Sequence, residues 1–239
     1  MALPSLTQLE LQECYVQVDL PRPPVVLPAL QALHASSSYM YGFLDFLGPC
    51  LHVASLTVLT LQGGNPIEQV PEVHFPSLRH LILLEVTKAV PGFSILSQFP
   101  SIQRLTCRAA ARHNQSFQIG IADVLAALGP DPHEDGDTGH RIPCPQLHTV
   151  AVSTAYKPLD VLAVTAQIST LRENGIPIRK LLLPESSLTQ SSDGSEAIAE
   201  FRTFVEIEDF QIDWPTPFAN VQFTDEVGLR KSHRSSNNY

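Results

Sequence analysis

One apolar phrase, repeated seven times, constrains this chain more than any other feature. The copies read LPSLTQLEL, LPALQALHA, VASLTVLTL, FPSLRHLIL, FPSIQRLTC, CPQLHTVAV and GIPIRKLLL, led by Leu6, Leu30, Leu56, Leu78, Ile102, Leu147 and Ile178. Successive leads are 24, 26, 22, 24, 45 and 31 residues apart, and such self-similarity marks a stack of repeated units. Within a copy the second and third apolar positions alternate with other residues, the period of a strand with one buried face. Leu9 and Leu11, Leu59 and Leu61, and Leu81 and Leu83 are therefore expected to point into one core. Each strand is expected to add to its predecessor in parallel, since every unit returns the chain to the same end.

A spacing near 24 with this phrase is that of a leucine-rich repeat. The expected fold class is α/β: a leucine-rich-repeat solenoid with a parallel concave sheet and with helices and turns on the convex side. A single repeat domain is expected over 1–222, with an insertion loop at about 129–142 and a C-terminal cap at about 196–218, followed by a flexible tail, 223–239. The 45-residue step is read as one repeat plus an insertion whose polar tip runs Asp131-Pro132-His133-Glu134-Asp135-Gly136-Asp137. Helical spacing links Tyr41, Leu44 and Leu47; then Ile121, Val124, Leu125 and Leu128; then Leu159, Leu162, Ile168 and Leu171. Gly129-Pro130 and Asn174-Gly175 are expected stops for the last two. The returns 62–74 and 84–98 carry Pro66, Pro71 and Pro91 and are expected to be turns or a single helical turn. Phe204, Val205, Ile207 and Phe210 are expected to form the last strand and cap, closed by Trp214 and Pro215.

Composition narrows the function classes. No apolar run is long enough to cross a bilayer, and no charged and apolar leader precedes the first phrase, so a cytoplasmic or nuclear protein without membrane contact is expected. On that reading the sequon Asn114-Gln115-Ser116 is chance. Cys14, Cys50, Cys107 and Cys144 are widely spaced without a CxxC pair, which fits a reducing compartment. Fifteen Lys and Arg against 24 Asp and Glu give a net charge of -9, which opposes nucleic-acid binding. Arg79, His80, Arg104 and Arg108 are read as a solvated face, and Arg230-Lys231-Ser232-His233-Arg234 as a frayed end rather than a localisation signal.

The search for chemistry returns no GxSxG, GxxxxGK[ST], HExxH or GxGxxG motif. Asp131, His133, Asp135 and Gly136 match the start of a calcium loop, but Ile142 stands where that loop needs a bidentate Glu. His133 and His140 have no further ligand at zinc spacing. His34, His52, His74, His80, His113 and His148 are strung along the array without a shared partner. The chain is accordingly read as a non-enzyme with no cofactor or metal. A remote enzyme alternative would use a pocket between the 109–146 insertion and the concave face, with His133, Asp135 or His140 in it.

Alternation assigns the outward side chains to three columns. The first holds Gln8, Val58, His80, Arg104, Thr149 and Lys180; the second holds Glu10, His34, Thr60, Ile82, Thr106, Ala151 and Leu182; the third holds Gln12, Ser36, Gln62, Leu84, Arg108 and Ser153. After Glu10 the second column lacks charge, and Ile82, Ala151 and Leu182 would form an exposed apolar stripe. Such a stripe is a protein-binding surface, a strip covered by another segment, or scattered surface apolar residues of no special meaning. The expected partner-binding residues are Gln8, Glu10, His34, Thr60, His80, Ile82, Arg104, Thr106, Arg108, Ala151, Lys180 and Leu182.

From Cys144 to Pro215 the chain runs CPQLHTVAVST, then a helix ending LRENGIPIRKLLLPE, then FRTFVEIEDFQIDWP. This stretch resembles the C-terminal leucine-rich region of the F-box proteins of mushroom-forming fungi. The resemblance implies a substrate-recognition part of a cullin-based ubiquitin ligase, whose N-terminal F-box docks the ligase adaptor while the repeats hold a protein substrate. No F-box precedes the first phrase in this sequence, so the resemblance covers the repeat region alone. A stand-alone repeat scaffold without ligase coupling is the alternative. Leu3, Leu6, Leu9 and Leu11 open the array without a cap, so self-association through an unpaired edge is also expected.

Overall fold

The computed structural model describes residues 3–12, 25–36, 51–62, 75–86, 96, 99–109, 119–129, 144–153, 159–189 and 194–210. The molecule is α/β, and its main feature is an eight-stranded sheet in which every neighbouring pair is parallel. Seven of the strands carry the seven phrases: β1 (Gln8–Gln12), β3 (Ala32–Ser36), β5 (Val58–Gln62), β6 (His80–Val86), β7 (Arg104–Ala109), β8 (Thr149–Val152) and β9 (Lys180–Leu183). The eighth, β10 (Glu206–Asp209), pairs with β9 at the end of the sheet. Two short strands, β2 (Val25–Val26) and β4 (Leu51–His52), form a separate parallel pair. β1 is an edge strand, as its place at the start of the array implies, and Leu3 before it is exposed.

The Pro of the phrase explains where each strand begins. In six copies the lead residue donates its N–H to the carbonyl three residues back: Leu6 to Leu3 (3.5 Å), Leu30 to Leu27 (3.2 Å), Leu56 to Val53 (3.2 Å), Leu78 to Phe75 (3.0 Å), Ile102 to Phe99 (3.1 Å) and Leu147 to Cys144 (3.1 Å). This is a β-turn, and Pro4, Pro28, Pro76, Pro100 and Pro145 occupy its second position, where their fixed φ is already correct. The residue that opens the turn is itself buried from the second copy onward, at Leu27, Val53, Phe75, Phe99 and Cys144. The turn therefore anchors each strand into the core at both ends of its first bend.

A second regularity locks copy to copy. The residue after each lead offers its carbonyl to two N–H groups of the next copy: Thr7 accepts from Gln31 and Ala32, Gln31 from Thr57 and Val58, Thr57 from Arg79 and His80, and Arg79 from Gln103 and Arg104. Gln103 then accepts from His148 and Thr149, and His148 from Arg179 and Lys180. The ladder's N–H bonds are backbone to backbone, and at one position a side chain joins it, the Thr57 hydroxyl donating to the Gln31 carbonyl at 3.0 Å. The strands consequently stay in one register from β1 to β9, with Leu9, Leu33, Leu59, Leu81, Leu105, Val150 and Leu181 in line. One shift interrupts it, between Leu83 and Val86 opposite β7.

All the phrase leads but Leu6 are fully buried, and Leu6, Leu9 and Leu11 are partly buried against the same cluster. The helices pack onto this face. Helix α1 (Ile121–Ala127) buries Ile121, Val124 and Leu125, with Leu128 beyond it, which is the expected stripe. Asp123 accepts the N–H of Gly120 at 2.7 Å and so satisfies one donor at the start of that helix. Helix α2 (Val161–Glu173) is capped by Asp160, which accepts from the Ala163 N–H at 2.9 Å. It ends as expected at Asn174-Gly175: Gly175 has φ 81°, a left-handed conformation, and the Ile176 N–H returns to the Leu171 carbonyl at 2.8 Å.

Three expectations need correction. The buried side of α2 is Val161, Val164, Ile168 and Leu171, whereas Leu162 is 76% exposed. Leu159 is buried but precedes the helix, so counting the stripe from it put Leu162 on the wrong face. Phe204 does not belong to the last strand: it ends a helix, α4 (Gly194–Phe204), that follows a short helix α3 (Glu185–Thr189). Val205 turns the chain and β10 begins at Glu206. The Tyr41 stripe, most of the 84–98 return, the 63–74 return, the acidic insertion tip and Trp214-Pro215 lie outside the described residues.

Candidate partner-binding face

With the phrase residues and helices on one side, the opposite side of the sheet holds the residues that alternate with them. The register places Gln8, Ala32, Val58, His80, Arg104, Thr149, Lys180 and Glu206 side by side. Beside them run Glu10, His34, Thr60, Ile82, Thr106, Ala151, Leu182 and Glu208. The first two sequence columns are thus physical rows across the sheet, with Ala32, Glu206 and Glu208 as members the sequence reading left out; the third is aligned from Gln12 to Leu84, and the shift after Leu83 interrupts it before Arg108. Glu206 and Glu208 were missed because the strand was started at Phe204; the alternation of Val205 and Ile207 with the two glutamates was the available signal.

The rows differ sharply in exposure. Val58, His80, Arg104 and Lys180 are half-buried, and so are Gln62 and Arg108 on the other flank. Between them the second row is closed: Ile82 and Ala151 are 0% exposed, Thr106 1%, His34 2%, Thr60 3% and Leu182 5%. The expected exposed apolar stripe of Ile82, Ala151 and Leu182 is therefore absent; these side chains are buried. Ile82, Leu84, Ala151 and Leu182 stand apart from the main hydrophobic cluster, on the other side of the strands.

Polar groups are organised at both ends of the row. At the β1 end, His34 Nδ1 lies 3.2 Å from Glu10 Oε1, and Gln12 donates from its amide to the same carboxylate oxygen. Burial pushes the His34 imidazole below its ordinary range, partly opposed by the Glu10 charge and by hydrogen bonds with Gln62 and Glu10. Near the middle, His80 Nε2 and Thr106 Oγ1 are 2.9 Å apart across β6 and β7. At the β10 end, Lys180 bridges Glu206 (3.2 Å) and Glu208. The hydrogen bond to Glu208 is the chief cause that holds the Lys180 ammonium above its ordinary range, and its counterpart holds the Glu208 carboxyl below. Arg104 also favours the charged form of Glu208, so the two cations and two carboxylates form one charged group across β7 to β10.

Among the described residues away from this face, Arg172, Cys107 and Cys144 have structural partners or surroundings. An open depression of about 320 Å³ is lined by Arg172, Gly175, Pro177 and Arg179. Arg172 is committed there, donating from Nε to the Ile178 carbonyl (2.9 Å) and from a terminal nitrogen to the Phe204 carbonyl (3.1 Å), with its guanidinium 4.3 Å from the Phe204 ring centre. It braces α2 against β9 and α4. Cys144 points its thiol at the Leu96 carbonyl (3.4 Å), and burial pushes both Cys107 and Cys144 up to about 12, which disarms them as nucleophiles. No cluster of three or more metal-ligating side chains occurs among the described residues. His133, Asp135 and His140 lie outside them. No helix among the described residues is long and apolar enough to cross a membrane.

No protein-family model, curated protein or solved structure matches the chain.

Proposed function

We propose that the chain is a leucine-rich-repeat solenoid that binds another protein through the sheet face opposite its helices. The observation that carries this reading is the shared register: backbone bonds between copies align outward side chains of eight strands into two rows, giving an extended surface rather than a pocket. Surfaces of this kind recognise macromolecules by distributing contacts over many repeats. Half-buried Arg104, Arg108, His80 and Lys180, beside acidic Glu206 and Glu208, suit a partner that presents both signs of charge and is itself a protein. Net charge -9 weighs against a polyanion.

The finer assignment rests on the stretch from Cys144 to Pro215 and its resemblance to fungal F-box repeat regions. On that basis the partner is a substrate and the chain is the recognition part of a ubiquitin ligase. The test purifies the endogenous protein from its source cells, maps its N-terminal peptides and identifies the bound proteins by mass spectrometry. An F-box ahead of Met1 with a cullin adaptor bound supports the ligase reading; a start at Met1 with no adaptor bound favours the stand-alone scaffold. The binding face itself is tested by charge reversal at Arg104, Arg108 and Lys180, and capture of the same partners by the folded triple variant contradicts it.

A further inference from the structure

Charge is not spread evenly along the array. The two residues after each lead are Thr7-Gln8, Gln31-Ala32 and Thr57-Val58 in the first three copies, and Arg79-His80, Gln103-Arg104, His148-Thr149 and Arg179-Lys180 in the rest. The second of each pair opens its strand, and the first sits on the bend before it. Because the register holds the strand starts side by side, the cationic pairs gather at one corner of the sheet, over β6 to β9. Arg79, His148 and Arg179 are exposed there, with His80, Arg104 and Lys180 half-buried beside them.

The chain's own acids leave the rim of that corner charged. Glu206 and Glu208 on β10 engage Lys180. Arg79 instead donates to the carbonyls of Leu78 (3.5 Å) and Ser101 (3.4 Å), and among the described residues no carboxylate pairs with Arg79 or Arg179. In a chain with 24 Asp and Glu against 15 Lys and Arg, two exposed guanidinium groups on one rim without an acidic partner make a local positive site. Arg179 also walls the depression of about 320 Å³ that Arg172, Gly175 and Pro177 line, a recess beside the rim that admits a carboxylate side chain.

We infer that this corner binds an acidic peptide segment of the protein partner, laid extended along the strand starts from Arg79 to Arg179. The inference rests on the binding role proposed above and names the chemistry of what is bound. Three strand steps of about 4.8 Å separate the two arginines, and an extended peptide covers that roughly 14 Å in about five residues. Its alternate side chains face the rim, which sets carboxylates opposite both arginines with Arg104 and His148 between them. Beyond Arg179 the patch ends at Glu206, Glu208 and Asp209 of β10. A continuing run of phosphates is repelled there, whereas a peptide ends its acidic stretch or places a cation.

The test titrates the full chain into a fluorescein-labelled octapeptide of alternating Glu and Ser and reads anisotropy. Saturable binding is expected, weakened about fivefold or more when Gln replaces Glu in the peptide, and equally by Arg79→Gln combined with Arg179→Gln. Arg79→Lys with Arg179→Lys keeps the charge and should retain most of the binding. Arg202→Gln, which removes an exposed cation on α4, should leave it unchanged. Circular dichroism of each variant separates lost binding from lost fold. No binding, equal affinity for the Glu and Gln peptides, or an equal loss on Arg202→Gln overturns the inference and returns the corner to a solvated face. Tighter binding of an oligothymidylate of the same length overturns it in favour of a nucleic acid. No partner protein enters these titrations, so their failure removes the acidic ligand while crosslinking from position 108 still decides the binding role.

Discussion

The carbonyl of Gln103 accepts hydrogen bonds from the N–H groups of both His148 and Thr149, at 3.1 and 3.2 Å, across the longest gap between copies of the phrase. It is the same pair of bonds that joins copies only 24 residues apart, such as Thr7 with Gln31 and Ala32. The stack is held by the bends before the strands, and what lies between them is free to vary. Shortening the acidic insertion is then nearly neutral. Replacement of residues 131–141 by a short Gly-Ser linker is expected to change unfolding free energy by no more than about 1 kcal/mol, measured by urea denaturation.

Burial separates two leucines of the same type. Leu81 is fully buried in the main cluster, while Leu162 projects from α2. Leu81→Ala is expected to cost about 2–5 kcal/mol, and Leu162→Ala to stay within about 0.5 kcal/mol. Paired denaturation curves check this, and equal losses would mean the helix face is assigned wrongly.

His34 makes stability depend on pH in a stated direction. Its folded imidazole is held below the ordinary value of 6.5, chiefly by burial. Between that depressed value and 6.5 the unfolded chain binds more protons than the folded one, so unfolding free energy rises with pH. The contribution is complete above 6.5 and is lost as pH falls through the folded value. Denaturation midpoints measured from pH 7.5 down to pH 5 are expected to fall, and His34→Gln should flatten the drop.

The two described cysteines should be silent while the chain is folded. With Cys107 and Cys144 raised to about 12, iodoacetamide at pH 8 is expected to leave both unmodified, and both should react once urea unfolds the chain. Peptide mass spectrometry reads the two states directly.

How much of this was legible in the sequence follows from what repeats. The i, i+3, i+5 phrase carried the inward rows from Leu9 to Leu183, and strict alternation carried the outward ones, because a strand's period is exact and a one-residue slip would turn every leucine outward. Helical faces were less secure. Leu162 and Val161 are adjacent, and only the position of the Asp160 cap decides which of them faces the core. The run Phe204-Val205 is apolar in either element, so the boundary between α4 and β10 could not be placed by pattern alone. Alternation gives the side on which Ile82 and Ala151 stand but not that they are buried there, since burial depends on neighbours that a strand's period does not specify.

The most direct test of the account is in-cell photo-crosslinking from matched positions on the two sides of the molecule. Benzoylphenylalanine replaces Arg108 on the open face in one strain and exposed Leu162 on α2 in another, and protein adducts are identified by mass spectrometry. Adducts to another protein from position 108, absent from position 162 and lost on charge reversal at Arg104 and Lys180, are the predicted result. Adducts from position 162 alone would contradict it and move the binding surface to the helices.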